Sequence, residues 1–390
     1  MDVTARALVS ASDRIWLSPP DQAGTEQLLL AQAVASNWIA PAGPALLDFE
    51  DAIATATGLP HVVAVSSGTA ALHLACHLAG VQAGAPVWTS TLTFVATITG
   101  ACQLGAVPGF IDVDPATWTM DAGLLDEALR DAARKGRLPR AVIAVDLYGQ
   151  PADLPAIRAV CEAYGVVMVA DSAEGFGATQ HGVHAGHGAM ATAFSFNGNK
   201  IITCGGGGAL ASTDAGLIAR ARHLATQARE PVAHYEHLEL GYNFRLSNLL
   251  AAVGVAQISD LDRRIARKRE IFRRYEAALG GLPGIGFMPE APWAKSTRWL
   301  SVMLVDQARF GAAPEEIRAV LEAANIESRP VWKPMHLQRV FRDAPHVGGG
   351  VAESLFARGL CLPSGSGMTD AQQDRVIEAI VLLHRRVRGG

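Results

Sequence analysis

Short apolar runs alternate with amphipathic stretches from residue 60 to about residue 215, and this alternation limits the possible folds of the chain more than any other feature. The apolar runs are continuous, which is typical of strands that are buried on both faces of a parallel sheet. Seven strands are predicted, at His61–Val65, Pro86–Thr89, Pro108–Asp112, Arg140–Asp146, Val166–Asp171, Thr192–Phe196 and Gly208–Ser212. Helices are predicted between the early strands, at Thr69–Ala79, Phe94–Leu104, Asp121–Lys135 and Asp153–Tyr164. This order predicts an α/β fold whose large domain contains a mostly parallel, seven-stranded mixed sheet.

The two ends of the chain carry fewer elements with a clear pattern. One helix is predicted near Thr25–Ser36, and a long charged helix is predicted at Asp260–Leu279. Beyond it we expect a strand and two helices, near Trp299–Val305, Pro314–Ala324 and Thr369–Arg386. The sequence therefore predicts an N-terminal segment and large domain in residues 1–255, and a smaller α+β domain in residues 256–390.

Charge and composition exclude several classes of protein. Lys plus Arg number 33 and Asp plus Glu 37, which gives a formal charge of −4, whereas nucleic-acid-binding proteins usually carry a strongly basic surface. No apolar run reaches the roughly 18 residues that a membrane helix needs, and Met1–Arg14 is too polar for a secretory signal. The five cysteines are scattered and lack CxxC spacing, which argues against a disulfide framework and a zinc finger. We therefore expect a cytoplasmic globular enzyme with no nucleic-acid or membrane partner.

The segment Ser66–Ala71 (SSGTAA) follows a predicted strand and opens a predicted helix. Backbone N–H groups at a helix start, together with Ser and Thr hydroxyls, form an anion site suited to a phosphate. An ordinary Ser or Thr N-cap explains the same pattern, so this motif alone leaves both interpretations open.

Asp171 ends the predicted apolar strand Val166–Asp171. A carboxylate at the carboxyl edge of a parallel strand lies where open α/β sheets bind their ligands, although it could instead cap the next segment. A cofactor with a pyridinium nitrogen needs such a partner, because the carboxylate keeps the ring nitrogen protonated.

Lys200 lies in an apolar stretch and is followed by four glycines, Gly205–Gly208. A lysine in apolar surroundings loses its charge by desolvation and becomes a nucleophile. The glycines let the backbone approach a ligand closely. A lysine in a surface turn is the alternative, and the glycine run and the spacing from Asp171 make it the weaker one.

Two further patterns predict no site. Gly186–Ala191 fits GxGxxA, but it leads into a strand instead of opening a helix, which argues against a nicotinamide oxidoreductase. His181, His184 and His187 have the spacing of metal ligands, yet they lie in a glycine-rich loop without a nearby acid. We therefore predict no metal site.

Six longer segments carry a resemblance to a known family. They are Ser36–Pro41, Ser195–Thr203, Thr226–Glu230, His234–His237, Gly241–Asn248 and Glu327–His336. Over nearly the whole chain the sequence resembles the DegT/StrS-type sugar aminotransferases, which depend on pyridoxal 5'-phosphate (PLP). Within that family it is most similar to the bacillosamine-pathway enzymes that make UDP-4-amino-4,6-dideoxy-N-acetylglucosamine by C4 amination. The resemblance implies the type I aminotransferase fold, PLP as cofactor and L-glutamate as amino donor.

The resemblance also implies roles for residues around the cofactor ring. Lys200 matches the lysine that binds PLP covalently and moves the proton during catalysis, and Asp171 matches the acid that pairs with the pyridine nitrogen. Phe94 is expected to stack on the cofactor, and Glu174 is expected to lie near its O3′ atom. Glu at that position is similar to the C4-aminating branch, although Ser172 replaces the more usual Ala.

Further matches concern the phosphate and the sugar nucleotide. The residues expected to contact the phosphate are Gly68, Thr69 and Ser195, together with Asn243 from the partner subunit. The residues in segments that the family uses around the nucleotide sugar are Trp38, Asn199, Arg245, Trp332 and His336.

The resemblance therefore implies a homodimer with shared active sites that aminates C4 of a UDP-2-acetamido-4-keto-2,4,6-trideoxyhexose. An aminotransferase for a dTDP- or GDP-linked ketosugar is one alternative, and a PLP-binding regulator without turnover is another. Family members with His at the lysine position are dehydratases, and Lys200 argues against that reaction here.

Overall fold

A computed structural model describes residues 14–389, so most of the polar N-terminal segment Met1–Arg14 lies outside the described residues. The helices are α1 Glu26–Ala35, α2 Pro44–Thr57, α3 Gly68–Leu78, α4 Ala96–Gln103, α5 Ala122–Arg134, α6 Leu154–Ala163, α7 Ala215–Ala225, α8 Asn248–Ile258, α9 Leu261–Leu279, α10 Gln307–Phe310, α11 Pro314–Ala323, α12 Gly350–Arg358 and α13 Asp370–Arg388. The strands are β1 His61–Val65, β2 Pro86–Ser90, β3 Val107–Ile111, β4 Ala141–Val145, β5 Val167–Asp171, β6 Thr179–Gln180, β7 Val183–His184, β8 Ala191–Ser195, β9 Gly208–Ser212, β10 Ile285–Phe287, β11 Ala294–Lys295, β12 Ser301–Val305, β13 Arg329–Pro330, β14 His346–Val347 and β15 Gly359–Leu362.

The large sheet has the strand order β1-β9-β8-β5-β4-β2-β3-β14. Strands from β14 through β3, β2, β4 and β5 to β8 pair in parallel, whereas β9 pairs antiparallel with both β8 and β1. The sheet is therefore mixed and mostly parallel, as predicted. It has eight strands where seven were predicted, because His346–Val347 adds a short parallel strand beside Phe110–Ile111. Two residues are too few to give a strand pattern in the sequence.

Both faces of the large sheet are covered, which explains why its strands read as continuous apolar runs. All five residues of Ala141–Val145 are buried. Ile143 and Val169 belong to one core cluster with residues of α3 and α7, whereas Val142 and Met168 belong to another with residues of α5 and α6. Alternate residues of each strand thus serve opposite faces.

The prediction of a single N-terminal helix is incomplete, because α2 follows α1 and packs against α8. Pro44 lies in its first turn, where a proline costs no hydrogen bond. Leu46, Phe49 and Ile53 are buried at helical spacing. The acidic residues between them mask this spacing in the sequence, and one of these, Glu50, is itself buried.

The C-terminal part of the chain forms an antiparallel sheet with the order β10-β12-β15-β13. Residues of α9, α11 and α13 share a core cluster with these strands. Strand β14 joins the large sheet and β11 pairs with β6, so this part is connected to the rest at two further points. The division at residue 256 stays a prediction. Among residues 14–389, none of the helices combines the length and the apolar character that a membrane crossing requires.

Candidate active site

The carboxyl ends of neighbouring strands meet the start of α3 at one pocket of about 350 Å³. Asp171 ends β5 and Ser195 ends β8, and these two strands pair in parallel. This edge of an open α/β sheet is the position at which ligands bind. The residues predicted to hold the cofactor that line the pocket are Gly68, Thr69, Phe94, Asp171, Glu174, Ser195 and Lys200.

The start of α3 forms a concave surface beside Ser195. The Ser67 side chain caps the helix by accepting a hydrogen bond from the backbone N–H of Ala70 (3.0 Å). A Cβ atom added to Gly68 would lie 2.8 Å from Cβ of Ser195, so only glycine lets the helix start approach β8 this closely. The segment is therefore a capped helix start, and its remaining N–H groups are suited to bind a phosphate.

Asp171 is buried and fixed by two hydrogen bonds. Its Oδ2 accepts from Oγ1 of Thr97 (2.6 Å) and its Oδ1 accepts from the backbone N–H of Ala173 (3.1 Å). Burial raises the pKa of Asp171, while these hydrogen bonds and the charge of Lys200 lower it. A carboxyl group held in this way is oriented toward the pocket before any ligand binds.

Lys200 is the one cationic side chain among the described residues that line this pocket. Its Nζ lies 3.7 Å from Oε1 of Glu174, and Oε2 of Glu174 accepts a hydrogen bond from the backbone N–H of Tyr148 (2.8 Å). Burial raises the pKa of Glu174, and the charge of Lys200 opposes that rise. The partly buried Lys200 and the buried Glu174 thus form an ion pair in the pocket.

A third acid, Asp146, was not singled out in the sequence. It directly follows β4, is 2% exposed and lines the same pocket. Its Oδ1 accepts from the backbone N–H of Ala152 (2.8 Å), whereas its Oδ2 is buried without a hydrogen-bond partner among the described residues. Burial raises the pKa of Asp146 to about 7, the neighbouring Ser172 hydroxyl and the Ala152 N–H lower it, and the charges of Asp171 and Glu174 add a smaller rise. Its place at a strand end is the signal that identified Asp171 and could have identified Asp146 as well.

Two aromatic residues of the site were also missed. The indole of Trp299 lies with its centroid 4.3 Å from Nζ of Lys200. The ring of Tyr148 stacks between Trp299 and Trp332, at centroid distances of 6.5 Å and 6.0 Å. No sequence pattern links residues this far apart in the chain.

A second cavity of about 970 Å³ adjoins the pocket. Thr93, Phe94, Asn199 and the two tryptophans Trp299 and Trp332 line both spaces. The second cavity is also bordered by the basic residues Arg329 and Lys333. Of the residues predicted to contact the sugar nucleotide, the structure brings Asn199 and Trp332 to this place.

The other three predicted substrate residues do not line either cavity within one chain. Trp38 is 46% exposed at the surface. Arg245 forms an ion pair with the buried Glu50 and donates to the carbonyl oxygen of Ala64 (2.9 Å). His336 is buried. Their predicted contacts with substrate stay predictions.

His336 is bonded within its own chain, whereas Asn243 lies at the surface. His336 hydrogen-bonds through Nδ1 with Oγ1 of Thr91 (2.6 Å) and through Nε2 with Glu353 (3.0 Å). Asn243 is exposed, forms a backbone bridge with Thr226, and does not line the pocket of its own chain. The role that the resemblance implies for Asn243, at the phosphate of a neighbouring subunit, stays a prediction.

The residues of the pocket fit PLP. The glycine at the helix start leaves space for a phosphate, the buried Asp171 suits a protonated ring nitrogen, and the amine of Lys200 can bind an aldehyde. Two of the three histidines in the glycine-rich loop form hydrogen bonds with the backbone. His184 accepts from the N–H of Gly177 (2.8 Å), and His187 donates to the carbonyl oxygen of Thr57 (2.8 Å).

Comparison with known proteins gives the same result as this geometry. A family model described as the DegT/DnrJ/EryC1/StrS aminotransferase family matches residues 20–381. EpsN of Bacillus subtilis (strain 168), which is named as a pyridoxal phosphate-dependent aminotransferase, is 49% identical over 375 residues that cover 95% of both chains. GDP-perosamine synthase of Caulobacter vibrioides is 33% identical over 368 residues, which cover 94% of this chain and 97% of that protein.

The fold has solved counterparts. The crystal structure of a DegT DnrJ EryC1 StrS aminotransferase from Brucella abortus matches with a TM-score of 0.85 and 29% identity, over 92% of this chain and 95% of that one. This match confirms the predicted aminotransferase fold.

The buried Asp146 predicts a pH-dependent effect on stability. Because folding raises the pKa of Asp146 from 3.8 to about 7, the unfolded chain loses this proton at a lower pH than the folded protein does, and the stability of the wild type falls as the pH rises from about 4 to about 7. We expect Asp146→Asn, which cannot ionise, to gain stability relative to the wild type from pH 4 to pH 8, by up to about 4 kcal/mol. Thermal and urea unfolding across this range would measure it.

The matched control is Asp48→Asn, which changes an exposed aspartate of α2. We expect no comparable pH-dependent gain for this control. A loss of stability at pH 8 in Asp146→Asn, with no dependence on pH, would show that Asp146 is ionised and well solvated in the folded protein.

Proposed function

The chain belongs to the DegT/DnrJ/EryC1/StrS aminotransferase family and is a PLP-dependent sugar aminotransferase, and from this premise we propose that it aminates C4 of a UDP-2-acetamido-4-keto-2,4,6-trideoxyhexose with L-glutamate as donor. The observation that carries the proposal is the position of Lys200, whose amine lies in the pocket formed by the start of α3, Asp171 and Glu174. The product is an amino or diamino sugar for a surface glycan or glycoprotein.

The chain's own residues provide the binding and the orientation. We propose that the N–H groups of Gly68 and Thr69 and the hydroxyl of Ser195 bind the phosphate, and that Asp171 pairs with the ring nitrogen. Phe94 stacks on the ring, and Glu174 lies near O3′. When bound, PLP supplies an electron sink that lets the carbon bearing the amino group lose a proton.

Lys200 acts as both base and acid in the proposed reaction. In the first half, its amine takes the proton from Cα of glutamate, the amino group would remain with the cofactor, and the carbon skeleton would take an oxygen from water and leave as 2-oxoglutarate. In the second half, the amino group would pass to C4 of the sugar in place of the keto oxygen, which leaves as water, and the same amine delivers a proton to C4. Glu174 holds the protonated amine at 3.7 Å between these steps. Because 2-oxoglutarate would leave before the ketosugar receives the amino group, we expect ping-pong kinetics.

The larger cavity supports a nucleotide sugar as second substrate. It adjoins the lysine pocket, and its volume of about 970 Å³ is within the range of small-molecule sites. Lys333 offers positive charge to a diphosphate, whereas Arg329 is paired with Glu327 (2.8 Å) of the same cavity. Similarity in the segments Asn197–Asn199 and Trp332–His336, together with Glu174, supports a UDP-linked acetamido sugar.

A GDP-linked ketosugar is the second candidate, because GDP-perosamine synthase of Caulobacter vibrioides is 33% identical over 94% of this chain. The two candidates differ in the group at C2 of the sugar. A pocket that hydrogen-bonds an acetamido group leaves polar atoms unpaired when a hydroxyl takes its place.

A shared active site is part of the proposal. Next to Asn243, the loop carries Tyr235, Leu238 and Leu240, which are 80%, 79% and 91% exposed. Apolar side chains exposed together in this way mark a surface that a partner covers. We propose that a second copy of the chain covers it and receives Asn243 at its phosphate site.

Lys200→Ala should abolish transamination and still bind PLP, because the phosphate site does not use the amine. Turnover with glutamate and a ketosugar should fall by at least about a thousandfold, while equilibrium dialysis should still detect bound PLP. Lys295→Ala, at an exposed lysine of β11, is the matched control and should keep full activity. Substantial turnover by purified Lys200→Ala would refute the assignment of Lys200.

Mixing two inactive variants tests the shared site. Lys200→Ala and Asn243→Ala subunits, mixed after partial denaturation and refolded together, should recover about one quarter of wild-type activity, because half of the dimers are mixed and each has one intact site. Activity of the mixture and sedimentation of each species would be measured. No recovery, together with an active monomer, would contradict the shared site.

A panel of ketosugars tests the substrate. With equal glutamate, the UDP-2-acetamido-4-keto sugar should give a kcat/KM roughly tenfold to several hundredfold above that of dTDP-4-keto-6-deoxyglucose or its GDP-linked counterpart. Product mass and NMR would identify the site of amination. Equal efficiency, or a preference for the GDP sugar, would leave the family assignment intact and remove the UDP assignment.

A further inference from the structure

Trp299 contacts the amine of Lys200 and the backbone beside it. The indole centroid lies 4.3 Å from Nζ of Lys200, and the indole N–H donates to the carbonyl oxygen of Asn199 (2.8 Å). Trp299 is 1% exposed, so its position is fixed by packing. Of the aromatic rings, that of tryptophan attracts a lysine ammonium most strongly.

The backbone that carries Trp299 has an unfavourable conformation. Arg298, directly before it, has a φ of 53°, in the left-handed region that non-glycine residues rarely adopt. Gly149, with a φ of 96°, packs against this segment, and a Cβ atom there would lie 2.4 Å from Oγ1 of Thr297 and 2.7 Å from N of Trp299. Such strain persists only where surrounding contacts enforce it, and it concentrates at functional sites.

The buried Lys268 also binds the backbone of Trp299, at its carbonyl oxygen. Lys268 is 2% exposed, and its Nζ donates to the carbonyl oxygens of Trp299 (3.1 Å) and Ser364 (2.8 Å). Burial lowers the pKa of Lys268 to about 7. Burial of a lysine destabilises the fold. Its hydrogen bonds to the carbonyl oxygens of Trp299 and Ser364 offset part of this effect.

Tyr148 connects Trp299 to Glu174, the second residue that contacts the amine of Lys200. Tyr148 stacks on Trp299 with an interplanar angle of 21°, and its backbone N–H donates to Glu174. Glu174 in turn pairs with Lys200. The two groups that contact the lysine amine are therefore joined through one residue.

We infer that Trp299 is a positioning residue for Lys200, whose amine it holds inside the pocket at the place where that amine binds the cofactor and exchanges its proton. The inference rests on the proposed role of Lys200. The left-handed Arg298, the close contact with Gly149 and the buried Lys268 all serve to fix this one indole.

The test compares Trp299→Leu and Trp299→Phe with the wild type. PLP is added to the apoprotein, and the visible absorbance that reports covalent attachment is followed in time, while equilibrium dialysis measures the PLP bound at saturation. Attachment should slow about tenfold in Trp299→Leu and about threefold in Trp299→Phe, because phenylalanine keeps a ring face but loses the N–H. The amount of bound PLP should not change, because the phosphate site is intact.

The holoenzyme gives a second measurement. In the half-reaction with glutamate, kcat should fall by the same factors, and KM should stay within about twofold. A purely structural role would instead lower thermal stability and bound PLP together and would not be rescued in part by phenylalanine. Trp293→Leu, at a tryptophan near His181 and away from the site, is the matched control and should behave like the wild type.

Two precautions keep the outcomes separate. If Trp299→Leu does not fold, Lys268→Met, which removes the bond to the Trp299 carbonyl at similar volume, should slow attachment at least about twofold in a folded protein. Borohydride reduction and peptide mass mapping locate the attached PLP. Attachment in the wild type at a residue other than Lys200 overturns the proposed function and this inference together. Attachment at Lys200 with wild-type rates in the Trp299 and Lys268 variants overturns this inference alone.

Discussion

Removal of three carboxyl groups from water is the constraint around which this site is organised. Asp146, Asp171 and Glu174 are 2%, 4% and 6% exposed, and Lys200 is the one cation among the described residues of their pocket. Three negative charges and one positive charge in a poorly solvated space are unfavourable, so burial disfavours the ionised form of each acid. Burial raises the pKa of all three acids accordingly. A reaction that moves a proton twice through one amine benefits from such surroundings.

The parallel pairing of β4 with β5 is what places these acids together. Val145 pairs with Asp171 in register, so Asp146 and the loop that carries Glu174 leave the sheet side by side. Backbone N–H groups then fix the carboxyl groups: Ala152 N–H binds Asp146, Ala173 N–H binds Asp171 and Tyr148 N–H binds Glu174. Each loop therefore orients its own acid or that of its neighbour, and the geometry of the site follows from the register of the sheet.

Local patterns in the sequence identified the parts of the site that depend on local structure. Asp171 lies at a strand end, Ser66–Ala71 opens a helix and Lys200 precedes a glycine run, as their patterns predicted. The alternation of elements predicted a mostly parallel sheet, but it gave no order for the strands. Trp299 could not be found in this way. Its contact with Lys200 depends on a left-handed Arg298 and on how the C-terminal sheet packs, and neither leaves a periodic signal.

Arg245 and His336 show that a resemblance in sequence does not by itself predict the contacts of a side chain. The guanidinium of Arg245 forms an ion pair with the buried Glu50. This ion pair fixes the loop that also carries Asn243, two residues before Arg245. His336 connects Thr91, which precedes Phe94 on the same loop, with the segment that carries Trp332. Within one chain, each of these two residues therefore shapes the cavity through a neighbour. A match in sequence gives the place of a residue along the chain, but the groups packed around a side chain decide whether it can contact a ligand, and only the folded structure supplies those groups.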